Sequence, residues 1–255
     1  MFNRFSSKQR SVKTMTINEN ILDLDPPRIP DALPNFPDSQ VNLLPLTALE
    51  SPLLVLIPEW SDLPTTPGMQ VVVSLLFNEQ QVAQYQYTTP INPALFPLNV
   101  HIPKHHLVEG AHRVSYIMTV FERPMPSAST PITVDTSAPN RGNPGHAPNF
   151  PLDVIRDGIT QSYLDENGDE VLVTIPRYLQ QQACDSIELH YGSLTDKPVI
   201  VKTVHDSISP TKIKLSGEII RRYGSGMMLA FYTLGDRAGN RGSFSEFVQI
   251  KVNLS

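Results

Sequence analysis

Ile57-Pro58-Glu59-Trp60 recurs as Ile175-Pro176-Arg177-Tyr178, and outward from that pair the chain follows one pattern twice. Asn35-Phe36-Pro37 is answered by Asn149-Phe150-Pro151, Val71 and Val73 by Ile187 and Leu189, and Gly110 with Tyr116 by Gly226 with Tyr232. The matched positions lie 114 to 118 residues apart. A period of that size is too long for a solenoid unit and suits a complete domain. The pattern therefore predicts two copies of one fold, residues 26–139 and 140–255, behind a flexible basic tail at residues 1–25.

The lone cysteine, Cys184, cannot close an intramolecular disulfide, so each copy must be stabilised by packing. No run of 18 or more apolar residues is present, which removes a transmembrane helix. The first 18 residues carry Arg4, Lys8, Arg10 and Lys13 without an acid. Their apolar residues are too scattered for a secretory signal, and Met15-Thr16-Ile17-Asn18 reads as an alternative start. The formal charge of −5 becomes −9 once those four basic residues are set aside. A mildly acidic body without a Lys/Arg stripe argues against a nucleic-acid partner. The 24 prolines cluster at Pro26 to Pro45 and Pro124 to Pro151, where they predict extended lead-ins and a linker through Pro139 to Pro151.

Between the prolines run short segments rich in Val, Ile, Tyr and Thr. In the first copy they predict strands at Val41 to Leu46, Leu53 to Ile57, Gln70 to Phe77, Val82 to Tyr87, Leu95 to Ile102, His112 to Phe121 and Pro131 to Asp135. The second copy answers with Ile159 to Leu164, Glu170 to Ile175, Ser186 to Tyr191, Val199 to Val204, Lys212 to Leu215, Met227 to Leu234 and Glu246 to Val252. Alternation in Lys212-Ile213-Lys214-Leu215 and Val248-Gln249-Ile250-Lys251-Val252 predicts sheets with one wet face. Gly217 to Tyr223 reads as a short helix between sheets. Asp165-Glu166-Asn167-Gly168-Asp169-Glu170, where the second copy is longer, reads as an extended hairpin on an Asn-Gly turn. Seven short strands per copy predict an all-β chain of two tandem immunoglobulin-like β-sandwiches.

Two signatures strengthen this. Val134-Asp135-Thr136-Ser137-Ala138-Pro139 resembles the junction between successive bacterial immunoglobulin-like domains. Leu107 to Tyr116 resembles the approach to the penultimate strand of such a domain, and Leu234-Gly235-Asp236-Arg237-Ala238-Gly239-Asn240-Arg241 resembles the D-x-A-G-N hairpin that follows it. The resemblance spans about 225 residues. It implies modular, non-enzymatic domains of adhesin-like proteins, at the cell surface or outside the cell. The first copy departs from it by placing Glu122-Arg123-Pro124-Met125-Pro126 where the second has the D-x-A-G-N hairpin.

Asp165, Asn167 and Asp169 offer oxygen atoms that suit calcium, against the simpler reading as a solvated turn. His101, His105, His106 and His112 crowd one stretch but lack cysteine partners, and read as loop histidines rather than a zinc site. Cys184 sits beside Asp185, which disfavours its thiolate, and no nucleophile elbow or phosphate-binding glycine loop is present. Trp60 and Tyr178 read as packing residues rather than a sugar platform, and Tyr116 and Tyr232 as corner tyrosines. The sequence thus predicts a structural or adhesion-type protein without catalytic residues or a resident cofactor, binding a protein or glycan. Glu122, Arg123, Asp165, Glu166, Asn167, Asp236 and Asn240 are its candidate contact residues. The alternatives are a subunit that self-associates by strand addition through Thr16 to Leu24, and a carbohydrate-binding or toxin-associated accessory module.

Overall fold

The computed structural model describes residues 24–61 and 65–255. The basic tail lies outside them, as does the Thr16 to Leu24 strand apart from Leu24. That residue pairs within its own chain, donating to the Pro126 carbonyl at 2.9 Å and accepting from the Ala128 amide at 2.9 Å.

In chain order the first half forms β1 (Leu43–Leu44), β2 (Leu53–Ile57), β3 (Gln70–Phe77), β4 (Gln80–Thr88), β5 (Leu98–Ile102), β6 (Gly110–Val120), β7 (Arg123–Pro126) and β8 (Thr130–Val134). The second forms α1 (Leu152–Asp157), β9 (Ile159–Thr160), α2 (Gln161–Glu166), β10 (Glu170–Ile175), β11 (Ser186–Gly192), β12 (Ile200–Thr203), β13 (Thr211–Ser216), α3 (Gly217–Tyr223), β14 (Gly226–Gly235) and β15 (Val248–Asn253).

One sheet of the first half has the order β1-β8-β6-β3-β4 and faces the pair β2-β5; the second half has β9-β15-β14-β11-β12 and β10-β13. The orders match strand for strand, including the parallel pairs β1-β8 and β9-β15. Alternation explains the packing. Leu53, Val55 and Ile57 on β2 and Val71, Val73 and Leu75 on β3 are all buried, while their neighbours in sequence face outward. One core runs from Ile29 to Val134 and a second from Phe150 to Val252, so the chain is two immunoglobulin-like β-sandwiches.

A hydrogen-bond pattern aligns the halves closely. Ser127 Oγ accepts from the Tyr116 amide at 2.9 Å and the Ser127 amide donates to the Tyr116 carbonyl at 2.9 Å. Ser245 does the same to Tyr232 at 3.0 and 2.8 Å. Just beyond, Ala128 donates to Leu24 and Glu246 donates to Gly145.

That alignment corrects two matches read from sequence. Arg28 bridges Leu56 and Asn149 bridges Thr174, so Arg28-Ile29-Pro30 is the counterpart of Asn149-Phe150-Pro151, with Ile29 and Phe150 in equivalent core positions. Asn35-Phe36-Pro37 lies in a loop of different purpose. Leu75 pairs with Tyr116 as Leu189 pairs with Tyr232, which moves the Val71/Ile187 match by two residues; both registers bury the same kind of side chain, so hydrophobicity could not separate them.

Two further expectations change. Ile159 to Leu164 is a strand for two residues and then turns into α2, because the Thr160 hydroxyl accepts from the Tyr163 amide at 3.0 Å and caps the helix. Gln161–Asp165 and Ser162–Glu166 bonds, one helical turn apart, hold it. Asp165 to Glu170 is therefore a helix end and a turn, not a hairpin. The predicted linker also shortens, since Gly145 and Asn149 already pair inside the second sandwich. Gly217–Tyr223 is helical as read, capped by the Ser216 hydroxyl.

Candidate interaction surface at the junction of the sandwiches

β14 ends at Gly235, which bridges Arg241 to close the turn Asp236 to Asn240. Asp236 Oδ1 accepts from the amides of Gly239 at 2.9 Å and Asn240 at 2.8 Å, and its Oδ2 accepts from Asn240 Nδ2 at 2.8 Å. Gly239 sits at φ 102°, open to glycine and strained for other residues. Asp236 and Asn240 thus shape the turn. Its crest, Arg237 and Ala238, is pressed against the first sandwich.

There the Ala238 carbonyl accepts from the Leu46 amide at 2.8 Å, and Ala238 is buried. Arg237 Nη2 donates to the Pro34 carbonyl at 2.7 Å while the guanidinium lies over Phe36, 4.3 Å from the ring centre. Asn240 Nδ2 also reaches the Asp135 carbonyl at 3.0 Å. The link between the sandwiches is tied on both sides. Glu109 accepts from the Thr136 amide at 2.6 Å, Asp135 accepts from Gln40 at 2.7 Å and from the Ser137 amide at 3.1 Å, and Asn140 exchanges bonds with Leu179. The bonds to Glu109 hold its carboxyl below the ordinary value, although its partial burial acts the other way.

A cleft of about 260 Å³ remains beside these contacts, lined among others by Gln40, Glu109, Asp135, Gln182, Asp185 and Asp236. Asp185 is 1% exposed, and burial pushes its carboxyl up to about 6, with the charges of Asp236 and Asp135 adding to the rise. Bonds from the Gln182 amide at 2.9 Å and the Tyr178 hydroxyl at 2.7 Å oppose it. Burial raises Asp236 as well. Asp185 Oδ2 and both carboxylate oxygens of Asp236 accept from donors of the second sandwich, while the contacts between the sandwiches run beside them through Arg237, Ala238 and Asn240.

The other sequence candidates lie apart. Phe121 and Glu122 form a two-residue turn, φ 49° and 59°, joining β6 to β7, with Arg123 paired to Val120. Gly110 at the other end of β6 pairs with Val134 next to the junction. Eleven residues of strand put this tip about 35 Å away from it. Phe121 is 76% exposed there. Asp165 accepts from Gln161 at 2.8 Å, Glu166 from Ser162 at 3.0 Å, Asn167 donates to the Tyr163 carbonyl at 2.8 Å, and Asp169 forms an ion pair with Arg221 at 2.6 Å. Each has a different partner. Among the described residues no three His, Cys, Asp or Glu side chains converge as a metal site.

His112 is buried against Phe77, with Nδ1 at 3.0 Å from Asn78 and Nε2 at 2.7 Å from the Val108 carbonyl. His106 contacts Phe77 as well and His105 in turn, and His101 is exposed. Trp60 is buried beneath Phe96 and donates to Tyr116 Oη at 3.0 Å, while Tyr87 packs half-buried on the first core. Cys184 is exposed. The residues missed in sequence are Phe36, Leu46 and Arg237. Arg237 occupied the variable position of the D-x-A-G-N motif, and nothing in the motif marked it as the contact.

No protein-family model matches the chain, and no curated protein matches it in sequence. Among solved structures it is similar to a bacterial ice-binding adhesin described for host cell surface retention, at 15% identity and TM-score 0.38, over 84% of this chain and 61% of that one. The chain therefore spans less than two thirds of that structure. It is also similar to fibronectin(III)-like modules of Clostridium thermocellum CbhA, at 12% identity and TM-score 0.39, over 80% and 86% of the two chains. The human OSCAR ligand-binding domain aligns at 12% identity and TM-score 0.29, over 77% and 87%.

Proposed function

We propose that this chain is a non-enzymatic, adhesion-type interaction protein, built from two copies of one immunoglobulin-like module divided near Pro139. It holds those modules in a fixed orientation and presents the Phe121-Glu122 turn of the first to a protein partner at a cell surface. The observation that carries the reading is the Asp236 to Asn240 turn, with Ala238 and Asn240 buried at the junction. A motif that elsewhere closes a hairpin here joins two domains through Leu46, Pro34, Phe36 and Asp135. A stiff pair of modules suits a spacer or a presenting arm, because rigid placement lowers the entropy lost on binding. The corresponding turn of the first module, Phe121-Glu122, leaves an aromatic exposed. Aromatic side chains of that kind anchor protein interfaces.

The test is adhesion of labelled protein to candidate host and bacterial cells, comparing the native chain with Phe121→Ser and Glu122→Lys/Arg123→Glu. The reading expects saturable binding that these variants weaken by about tenfold or more with unchanged melting temperature. Binding insensitive to all three positions would remove the tip from the contact. A chain that binds no cell surface would remove the adhesion role.

A further inference from the structure

The geometry points to β4 as a self-pairing edge: we propose that two copies of this chain join by antiparallel β4–β4 addition into one continuous sheet. β4 ends the order β1-β8-β6-β3-β4, so among the described residues no strand pairs with its side away from β3. The Thr89 amide donates to Met69 and its carbonyl accepts from Gly68, both at 2.9 Å and both on the β3 side. Alternation along a strand then turns the backbone N–H and C=O groups of Gln84, Gln86 and Thr88 toward the open side.

Natural proteins guard such edges with lysine, proline or shortness. The other sandwich does so: β12, at the matching end of its sheet, spans four residues, includes Lys202 and follows Lys197-Pro198, and β13 carries Lys212 and Lys214. β4 is nine residues long, Gln-Gln-Val-Ala-Gln-Tyr-Gln-Tyr-Thr, with neither charge nor proline. One fold has thus protected an edge in one copy and left the equivalent edge bare in the other.

The missing charge also selects the occupant. A two-fold axis beside Gln86 sets Gln84 opposite Thr88 of the second copy and Tyr85 opposite its Tyr87. No like charges then meet, Gln86 faces its own copy and Tyr85 faces a tyrosine. The inference does not rest on the adhesion reading.

It is tested by sedimentation of the full chain over a wide concentration range, alongside Gln86→Lys and Gln86→Pro. Both changes lie on the open side, so the β3–β4 ladder and the melting temperature should survive them. The expected result is a concentration-dependent dimer whose dissociation constant rises by about tenfold or more in each variant. In the same dimer the amides of Gln84, Gln86 and Thr88 should gain protection from hydrogen exchange. A native chain that stays monomeric throughout would overturn the proposal. So would a dimer that survives both Gln86 variants, whatever deletion of residues 1–23 does to it.

Discussion

Arg237 and Phe36 meet across the two sandwiches, the guanidinium 4.3 Å above the ring while the same side chain donates to the Pro34 carbonyl at 2.7 Å. A cation–π contact is worth about 0.5–2 kcal/mol and a charged hydrogen bond about 1.5–3 kcal/mol, while the cores of the two halves do not share these groups. Arg237→Ala should therefore free the domains without unfolding either. Protease cleavage between Thr136 and Asn143 should accelerate severalfold with little change in melting temperature. Arg237→Lys should fall between, since an ammonium keeps the charge but loses the planar stack. An unchanged cleavage rate in the alanine variant would show that the remaining contacts suffice.

Asp185 makes the stability of the second sandwich sensitive to pH in a defined direction. Its folded pKa of about 6 exceeds the unfolded value of about 3.9, so the folded state holds the proton more tightly. From this group alone, stability is greatest below pH 4, declines between about 4 and 6, and stays lower above that range. An asparagine side chain in its place could accept the same two bonds, from Tyr178 and Gln182, without a buried charge. Asp185→Asn should melt higher than the native chain at pH 8, with the gap closing toward pH 4. A lower melting temperature at pH 8 would mean the charge is better compensated than its surroundings suggest.

How far the sequence was legible depends on the range of the contact. Alternating residues such as Val71, Val73 and Leu75 announce a strand because burial on a pleat has period two, and eight of the predicted strands match the observed bounds to within a residue at each end. Asn-Phe-Pro misled because composition repeats more easily than register, and Phe36 and Phe150 are apolar for unrelated reasons, one under Arg237 and one in a core. α2 was hidden because Thr160 reads equally as a strand residue and a helix cap. The candidate site was legible only as a turn. Asp236 and Asn240 hold it by local bonds that spacing reveals, whereas its contact with Leu46 and Pro34 joins residues about 200 positions apart.

Two buried tyrosines offer an internal comparison. Tyr116 Oη accepts from Trp60 and donates to the Asp25 carbonyl, both at 3.0 Å, and burial raises its phenol to about 12. Tyr191 is fully buried and its hydroxyl has no partner among the described residues. Removing a paired hydroxyl strands its donor and acceptor, at about 1–3 kcal/mol, while removing an unpaired one relieves a desolvated group. Tyr116→Phe should destabilise by that amount in denaturant titration, and Tyr191→Phe should be neutral or stabilising. Equal losses in both would point to a partner for Tyr191 that the fold alone does not supply, such as a bound water.

Gly145 tests the equivalence of the sandwiches at a single atom. The extended lead-in to the second sandwich passes over Tyr232, and a Cβ added at Gly145 would stand 3.0 Å from Tyr232 Cζ and closer still to the hydroxyl. The ring cannot simply withdraw: Tyr232 is 1% exposed and its backbone is clamped to Ser245 on both sides. Its counterpart Tyr116 fills the same space with bonds to Asp25, beside Leu24, so the first half tolerates a side chain where the second needs none. Gly145→Ala should cost about 1–3 kcal/mol, as overpacking does. The hydroxyl is the nearest atom, so adding Tyr232→Phe should recover part of that loss, and the double variant should be more stable than the sum of the single effects predicts. Simple additivity in that cycle would mean that the strand, rather than the ring, gives way.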